Sequence, residues 1–179
     1  MSIKAITTRY AHALLEETER LNAEAAIEQD IATVLQYLDA SNDLRITFRS
    51  PVIEPWRKKK IVKELFEDKV QKLTLTFLLL VIEKGRERML RDIFVAFHEQ
   101  LDVRRNIMRI GITSAVGLDA EMQDKLTAAL SKKTGKTVVS TFSTSEALIG
   151  GVSVTIGDAV IDGSLRTRLA ELKEQLANN

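Results

Sequence analysis

The 179-residue sequence predicts a two-domain α+β chain, with an N-terminal six-helix bundle followed by a small C-terminal α/β domain that has a short sheet and two helices. Three observations predict it. Before Asn106 the only glycine is Gly85, and the apolar residues there recur at helical spacing. From Ile107 the period changes to the alternation of a strand, which places a domain boundary between residues 1–105 and 106–179. The stretch from Glu146 to Leu169 then reads as a glycine pair, a hairpin and a capped helix.

Each element has its own signal. Ile6, Tyr10, Ala13, Leu14 and Leu21 stripe a first helix, and Ile27, Ile31, Val34, Leu35 and Leu38 stripe a second. Ser41 and Asn42 break the second, and Leu44, Ile46 and Phe48 fit a short third helix ended by Ser50-Pro51. Pro55 suits the first position of a fourth helix, where its missing amide costs nothing, with Ile61, Val62, Leu65 and Phe66 on the inner side. Val70 to Lys84 is apolar almost all round before Gly85 stops it, so this fifth helix is expected to be central or covered by a partner. Leu90, Ile93, Phe94, Phe97 and Leu101 stripe a sixth, closed by Arg104 and Arg105 where cations suit the negative helix end.

Beyond the boundary, Ile107 to Ala115 reads as a strand. Asp119 caps a helix through Met122, Leu126, Ala129 and Leu130 that ends at Gly135, and Thr137 to Phe142 is a further strand. Val152, Val154 and Ile156 alternate with Ser153 and Thr155, Gly157-Asp158 turns the chain, and Ala159 to Ile161 returns it. Gly163-Ser164 opens the last helix, where Ser164 accepts from a first-turn amide and Leu165, Leu169, Leu172 and Leu176 share a face.

Composition narrows the function classes. The formal charge is +1 with 28% charged residues of both signs, which lacks the broad positive field of a duplex-binding protein. With no cysteine, disulfides, thiolate catalysis and cysteine-ligated zinc or iron-sulfur sites are excluded. The longest strictly apolar run, Phe77 to Ile82, falls far short of the roughly 20 residues a membrane-crossing helix needs. Residues 1–20 lack the apolar core of a signal peptide and carry Glu16, Glu17 and Glu19, so the mature chain is expected to start near Met1, in the cytoplasm.

Gly135-Lys136-Thr137 resembles the end of a phosphate-cradling loop, but Leu130 stands where the first glycine is required and the helix and strand come in the wrong order. His12 and His98 have no second histidine or cysteine at metal-ligand spacing. Asp158 and Asp162 flank a short strand as paired carboxylates would in a small enzyme, yet turn and cap duty accounts for both. Trp56 followed by Arg57-Lys58-Lys59-Lys60 offers a stacking ring beside cations, the basis of an alternative reading as a nucleic-acid-binding adaptor; a solvated helix face is the simpler reading. Gly150-Gly151, with no helix start beside it in sequence, reads as a strand entry or bulge.

Several motifs occur together and in order: Arg9-Tyr10-Ala11 with Ala13-Leu14, Ser50-Pro51 before a lysine-rich helix, Glu83-Lys84-Gly85-Arg86, and Thr113-Ser114-Ala115. More specific are Leu148-Ile149-Gly150-Gly151, Ile156-Gly157-Asp158, Asp162-Gly163-Ser164 and Arg166 to Leu169. Nearly end to end, the chain resembles the delta subunit family of F-type ATP synthase, called the oligomycin-sensitivity-conferring protein in mitochondria. It departs from the family's pattern at Arg91 and Gly117, where proline is frequent, and at Ser145-Glu146, which replaces an aspartate-proline pair.

The resemblance implies a peripheral-stalk, or stator, subunit with no catalytic residues and no cofactor or metal of its own, serving ATP synthesis coupled to proton transport. It implies that residues 1–105 receive the N-terminal helix of an alpha subunit in a groove between the first and fifth helices. Tyr10, Ala13, Leu14, Leu75, Leu78 and Leu79 are the contact candidates. It implies that residues 106–179 grip the C-terminal helices of the membrane-anchored b subunits, with Leu148, Ile149, Gly150, Gly151, Gly157, Asp158, Asp162, Gly163 and Ser164 as architectural residues. The implied location is the cytoplasmic face of the cell inner membrane, as a peripheral protein without direct insertion and without nucleic acid; a plastid thylakoid fits equally.

Overall fold

The computed structural model describes residues 2–157 and 159–177, and the chain divides into two compact units, Met1–Leu101 and Asp102–Asn179. Six helices come first: α1 (Ile3–Arg20), α2 (Glu24–Ala40), α3 (Asn42–Arg49), α4 (Pro55–Phe66), α5 (Lys72–Glu83) and α6 (Leu90–Arg104), with a 3-10 turn at Glu87–Met89 leading into α6. The division falls inside the last turn of α6, a few residues ahead of the change of period at Asn106, because the helix runs on unbroken toward the first strand.

Local chemistry sets the helix ends. The Ser41 hydroxyl accepts from the Leu44 amide at 3.2 Å and opens α3, while Pro55 occupies the first turn of α4. α5 starts at Lys72 rather than Val70, and its cap comes from another helix. Asp30 of α2, itself buried, accepts from the Gln71 amide at 2.7 Å and the Thr74 hydroxyl at 2.6 Å. A carboxylate at the positive end of a helix satisfies an orphan donor and opposes the dipole, so α2 fixes where α5 begins.

All six helices contribute to one core, in which Leu14, Ile31, Val62, Phe66, Phe94 and Phe97 are essentially solvent-free. Tyr37 meets Phe66 edge to face at 5.4 Å. Beside the core Lys58, only 3% exposed, pairs with Glu87 at 2.6 Å and donates to the Ser50 carbonyl at 2.8 Å. Its position corrects the expectation that the basic run of α4 is a solvated face throughout. The ammonium is drawn inward by a buried carboxylate, because a charge leaves water only when another charge and hydrogen bonds receive it.

The second unit holds a four-stranded sheet and two helices, α7 (Ala120–Thr134) and α8 (Leu165–Ala177). The strands are β1 (Ile107–Ser114), β2 (Thr137–Thr144), β3 (Val152–Ile156) and β4 (Ala159–Asp162), in the order β2-β1-β3-β4. β1 and β2 run parallel with α7 as the crossover, as a parallel pair requires, while β1–β3 and β3–β4 are antiparallel. Asp119 caps α7 by accepting from the Met122 amide at 2.7 Å, and Gly135 ends it at φ 68°. Asp158, expected in the β3–β4 turn, lies outside the described residues, as does the side chain of Leu172.

Candidate partner-binding site

Antiparallel and parallel pairing leaves the specific motifs of the C-terminal region far apart in sequence, yet the backbone ties them into one junction. The Ala115 amide donates to the Gly151 carbonyl at 3.3 Å, the Gly163 amide to the Val152 carbonyl at 3.0 Å, and the Leu165 amide to the Gly150 carbonyl at 2.8 Å. A Cβ on Gly151, which sits at φ +83°, would come within 2.5 Å of the Gly163 carbonyl oxygen. A Cβ on Gly150 would meet the Leu165 side chain at 2.5 Å. The glycine pair stands at the entry to β3, as its sequence suggests, and is in addition a close approach to the start of α8. The helix start that sequence distance hid is supplied by the β3–β4 hairpin, which folds Gly163 and Ser164 back onto the pair.

That start is capped twice. Ser164 is buried and its hydroxyl accepts from the Thr167 amide at 3.3 Å. Asp162 accepts from the Ser164 amide at 2.8 Å and the Thr167 hydroxyl at 2.7 Å. The Thr167 hydroxyl, then the Ser164 amide, hold the Asp162 carboxyl below its ordinary value. Gly157 occupies the β3–β4 turn, Leu148 a short 3-10 turn before β3, and Ile149 the residue after it at φ 62°. Every group at the junction serves the backbone, and none is presented as a nucleophile or base.

The first unit carries a cleft of about 420 Å³ between α1 and α5. Its α1 wall includes Tyr10, Ala13 and Leu14, and its α5 wall is Leu73, Thr76, Phe77 and Leu80. Tyr10 stands edge-on to Phe77 at 6.5 Å, so the two rings line the cleft as a rigid pair. Arg9, Glu17 and Lys84 form a charged rim. Glu17 is bonded to Arg20 at 2.7 Å, and neighbouring Glu83 accepts from Lys59 at 2.8 Å. The Lys59 hydrogen bond and charge, then the Lys84 charge, lower the Glu83 pKa.

Of the contact candidates, Tyr10, Ala13 and Leu14 line this cleft, while Leu75, Leu78 and Leu79 do not. Leu78 is 1% exposed within the core, and Leu75 and Leu79 are half-buried against it. Leu73, Thr76, Phe77 and Leu80 take the groove side instead. Their spacing of three and four residues is the signal that finds them once one member is fixed. An apolar helix carries no polar face from which to set that phase.

The second unit presents its own apolar surface. A shallow cleft of about 360 Å³ runs beside α7, lined by Leu118, Met122, Leu126, Ala129 and Val152 with Lys125 at its edge. On α8, Leu165, Leu169 and Leu176 are exposed, Leu176 to 80%.

The basic run after Trp56 is divided by the fold. Lys58 is consumed by Glu87 and Lys59 by Glu83, while Arg57 lies over the Trp56 ring at 5.2 Å. His12 and His98 approach Glu16 and Glu28, and no cluster of metal-ligating residues is present among the described residues. Among the same residues, no helix is long and apolar enough to cross a membrane.

The chain is similar to known proteins along nearly its whole length. Residues 6–176 match the family model described as ATP synthase delta (OSCP) subunit. The ATP synthase subunit delta of Desulforamulus reducens is 38% identical over 172 residues, covering 96% of this chain and 95% of that protein. That of Chlorobium phaeobacteroides is 37% identical over 178 residues, covering 99% and 98%. A chain in the cryo-EM structure of the Toxoplasma gondii mitochondrial ATP synthase hexamer shares the fold, with a TM-score of 0.72 at 22% identity over 96% of this chain and 97% of that one. With the family model and its relatives both matching from the first helix to the last, the chain belongs to the ATP synthase delta (OSCP) subunit family.

Proposed function

We propose that this chain is a non-catalytic stator subunit of an F-type ATP synthase, joining the catalytic alpha-beta head to the membrane-anchored b subunits. Rotor torque drives synthesis only if the head is prevented from turning with the rotor, so the link must hold under elastic load. The observation that carries the reading is the α1–α5 cleft, an apolar floor with a charged rim. Such a groove accepts the apolar face of an amphipathic helix. In this reading the six helices form the bundle that takes the N-terminal helix of an alpha subunit. The second unit takes the C-terminal helices of b through the exposed leucines of α8 and the cleft beside α7.

Two attachment surfaces on one adaptor suit the task. Release of one partner leaves the other holding the chain at high effective concentration, which can add roughly 100-fold or more in avidity. The chain would then sit at the cytoplasmic face of the membrane through its partners, without inserting.

The test is calorimetric titration of the full chain with a synthetic peptide of about twenty residues from the N-terminus of the cognate alpha subunit, a length that spans about 30 Å as a helix. Saturable one-to-one binding is expected, weakened roughly tenfold or more by Leu80→Asp, which places a charge on the cleft wall without entering the core. A folded chain that ignores the peptide, or a Leu80→Asp variant that binds it unchanged, would refute the assignment.

A further inference from the structure

The charged rim of the α1–α5 cleft is uneven once its ion pairs are resolved. α1 contributes Arg9 and Glu17 to it, and Lys84 stands at the end of α5. Glu17 is held by Arg20, whose Nε and Nη2 donate to the same carboxylate oxygen at 2.9 and 2.7 Å. Glu83, next to Lys84 in sequence, accepts from Lys59 at 2.8 Å and lies farther from Lys84, at 3.8 Å. Arg9 is exposed and has no ion pair or hydrogen bond among the described residues. Both carboxylates therefore carry a cation of their own, and Arg9 and Lys84 are left over.

Between these charges the floor is apolar, with Leu14, Leu73, Phe77 and Leu80 among its residues. Such a floor grips any amphipathic helix of matching shape, so it contributes affinity and little choice among partners. Charges on a rim act differently. They stay hydrated in a complex and add little to its lifetime, but their field reaches about 10 Å at 0.1 M salt and acts on a partner before contact. A carboxylate on the partner's flank is drawn in, and a lysine at the same place is repelled. Because Arg9 belongs to α1 and Lys84 to the end of α5, the excess charge stands on both walls and meets both flanks of a helix laid between them.

On the reading of the cleft as a helix groove, we infer that it prefers an amphipathic helix whose flanks beside the apolar stripe are acidic, with Arg9 and Lys84 making the choice. The two contributions separate in time. The floor sets how slowly a docked helix leaves, while the rim sets how fast an acidic one arrives and turns a basic one away. Arg20 takes an indirect part, since by holding Glu17 it keeps that carboxylate from repelling the same acidic flank.

The test is stopped-flow binding of the full chain to three versions of the alpha-subunit peptide, in which the positions flanking its apolar stripe are glutamate, glutamine or lysine. At about 20 mM salt, association is expected to be fastest with glutamate and slowest with lysine, roughly three- to tenfold apart at each step, with dissociation rates within about twofold of one another. At about 1 M salt, where the screening length is about 3 Å, the order should collapse. The double variant Arg9→Gln, Lys84→Gln changes two exposed side chains and is expected to lose the ranking at low salt. Arg20→Gln, outside the cleft lining, frees the Glu17 charge and is expected to reduce the preference for glutamate by roughly twofold. Equal association of the glutamate and lysine peptides at low salt, or a ranking that survives in the double variant, would overturn the role of Arg9 and Lys84 while leaving the groove standing. A folded chain that binds none of the three peptides would overturn the groove itself, and the choice of partner with it.

Discussion

The two units solve the problem of apolar surface in opposite ways. Helices α1 to α6 enclose one continuous core running from Ala11 to Leu101, and the cleft between α1 and α5 is a local gap at its surface. The second unit buries just Ile110, Ile112 and Val138 among its described apolar residues, and α7 has no buried residue at all. Meanwhile Val160, Ile161, Leu165 and Leu169 stand more than 40% exposed. Burying a leucine or phenylalanine side chain contributes about 1.5–3 kcal/mol, so the first unit is stabilised chiefly by its interior and the second by backbone pairing and caps. In the proposed reading, the first unit offers a pre-formed receptor and the second a surface that a partner would complete.

The sharpest way to break this contrast is to charge the core of the first unit. Leu78 lies on the inner side of α5, and Leu78→Glu would bury a carboxylate with no partner, at a cost of at least about 3 kcal/mol. Circular dichroism should show a large loss of helix, while strand resonances of the second unit persist in NMR spectra. A variant with undiminished helical signal and thermal midpoint would mean that Leu78 does not face the core and that the cleft has been assigned to the wrong side of α5.

A smaller effect tests the second unit by its backbone. Gly151→Ala forces a side chain into the left-handed region and against the Gly163 carbonyl, a strain of about 1–3 kcal/mol. Gly135→Ala shares the positive φ but meets open space, so about 1 kcal/mol is expected there. Urea unfolding followed through β3 and α8 amides should separate the two. If both variants lose the same stability, close approach at the glycine pair is not what holds the junction together.

How much of this was legible in the sequence follows from the same contrast. The order of helices, the change of period near Asn106, the Asp119 and Ser164 caps and the β3–β4 hairpin are local signals, written within a turn or two of where they act. What was hidden is non-local. Asp30 capping a helix forty residues away, Lys58 turned inward to Glu87, and Gly150 facing Leu165 depend on elements brought together by the fold. The groove was half legible for a different reason. α1 has a polar face that fixes the phase of Tyr10, Ala13 and Leu14, whereas α5 is apolar nearly all round and gives Leu73, Phe77 and Leu80 no advantage over Leu75, Leu78 and Leu79.

The mildest probe is pH, and it reaches the two units differently. In the second, the Asp162 pKa is lowered by the Thr167 hydroxyl and the Ser164 amide, both of which favour the charged form. An unfolded aspartate titrates near about 3.9, so the cap's contribution is complete above that value and is lost as pH falls through the lower folded value. In the first unit, acid also neutralises Glu83, whose pKa is lowered by Lys59 and Lys84, but that is a surface pair over a core that does not depend on it. Acidification below about pH 4 should therefore lower the exchange protection of the Leu165 to Arg168 amides, measured against their intrinsic rates at each pH, before it affects that of Phe94 or Phe97. Asp162→Asn keeps an acceptor but cannot titrate over this range, and it should flatten the pH dependence at the start of α8. If that dependence survives the substitution, the acid sensitivity lies elsewhere in the second unit, and its lack of a large core, not its cap, sets the limit.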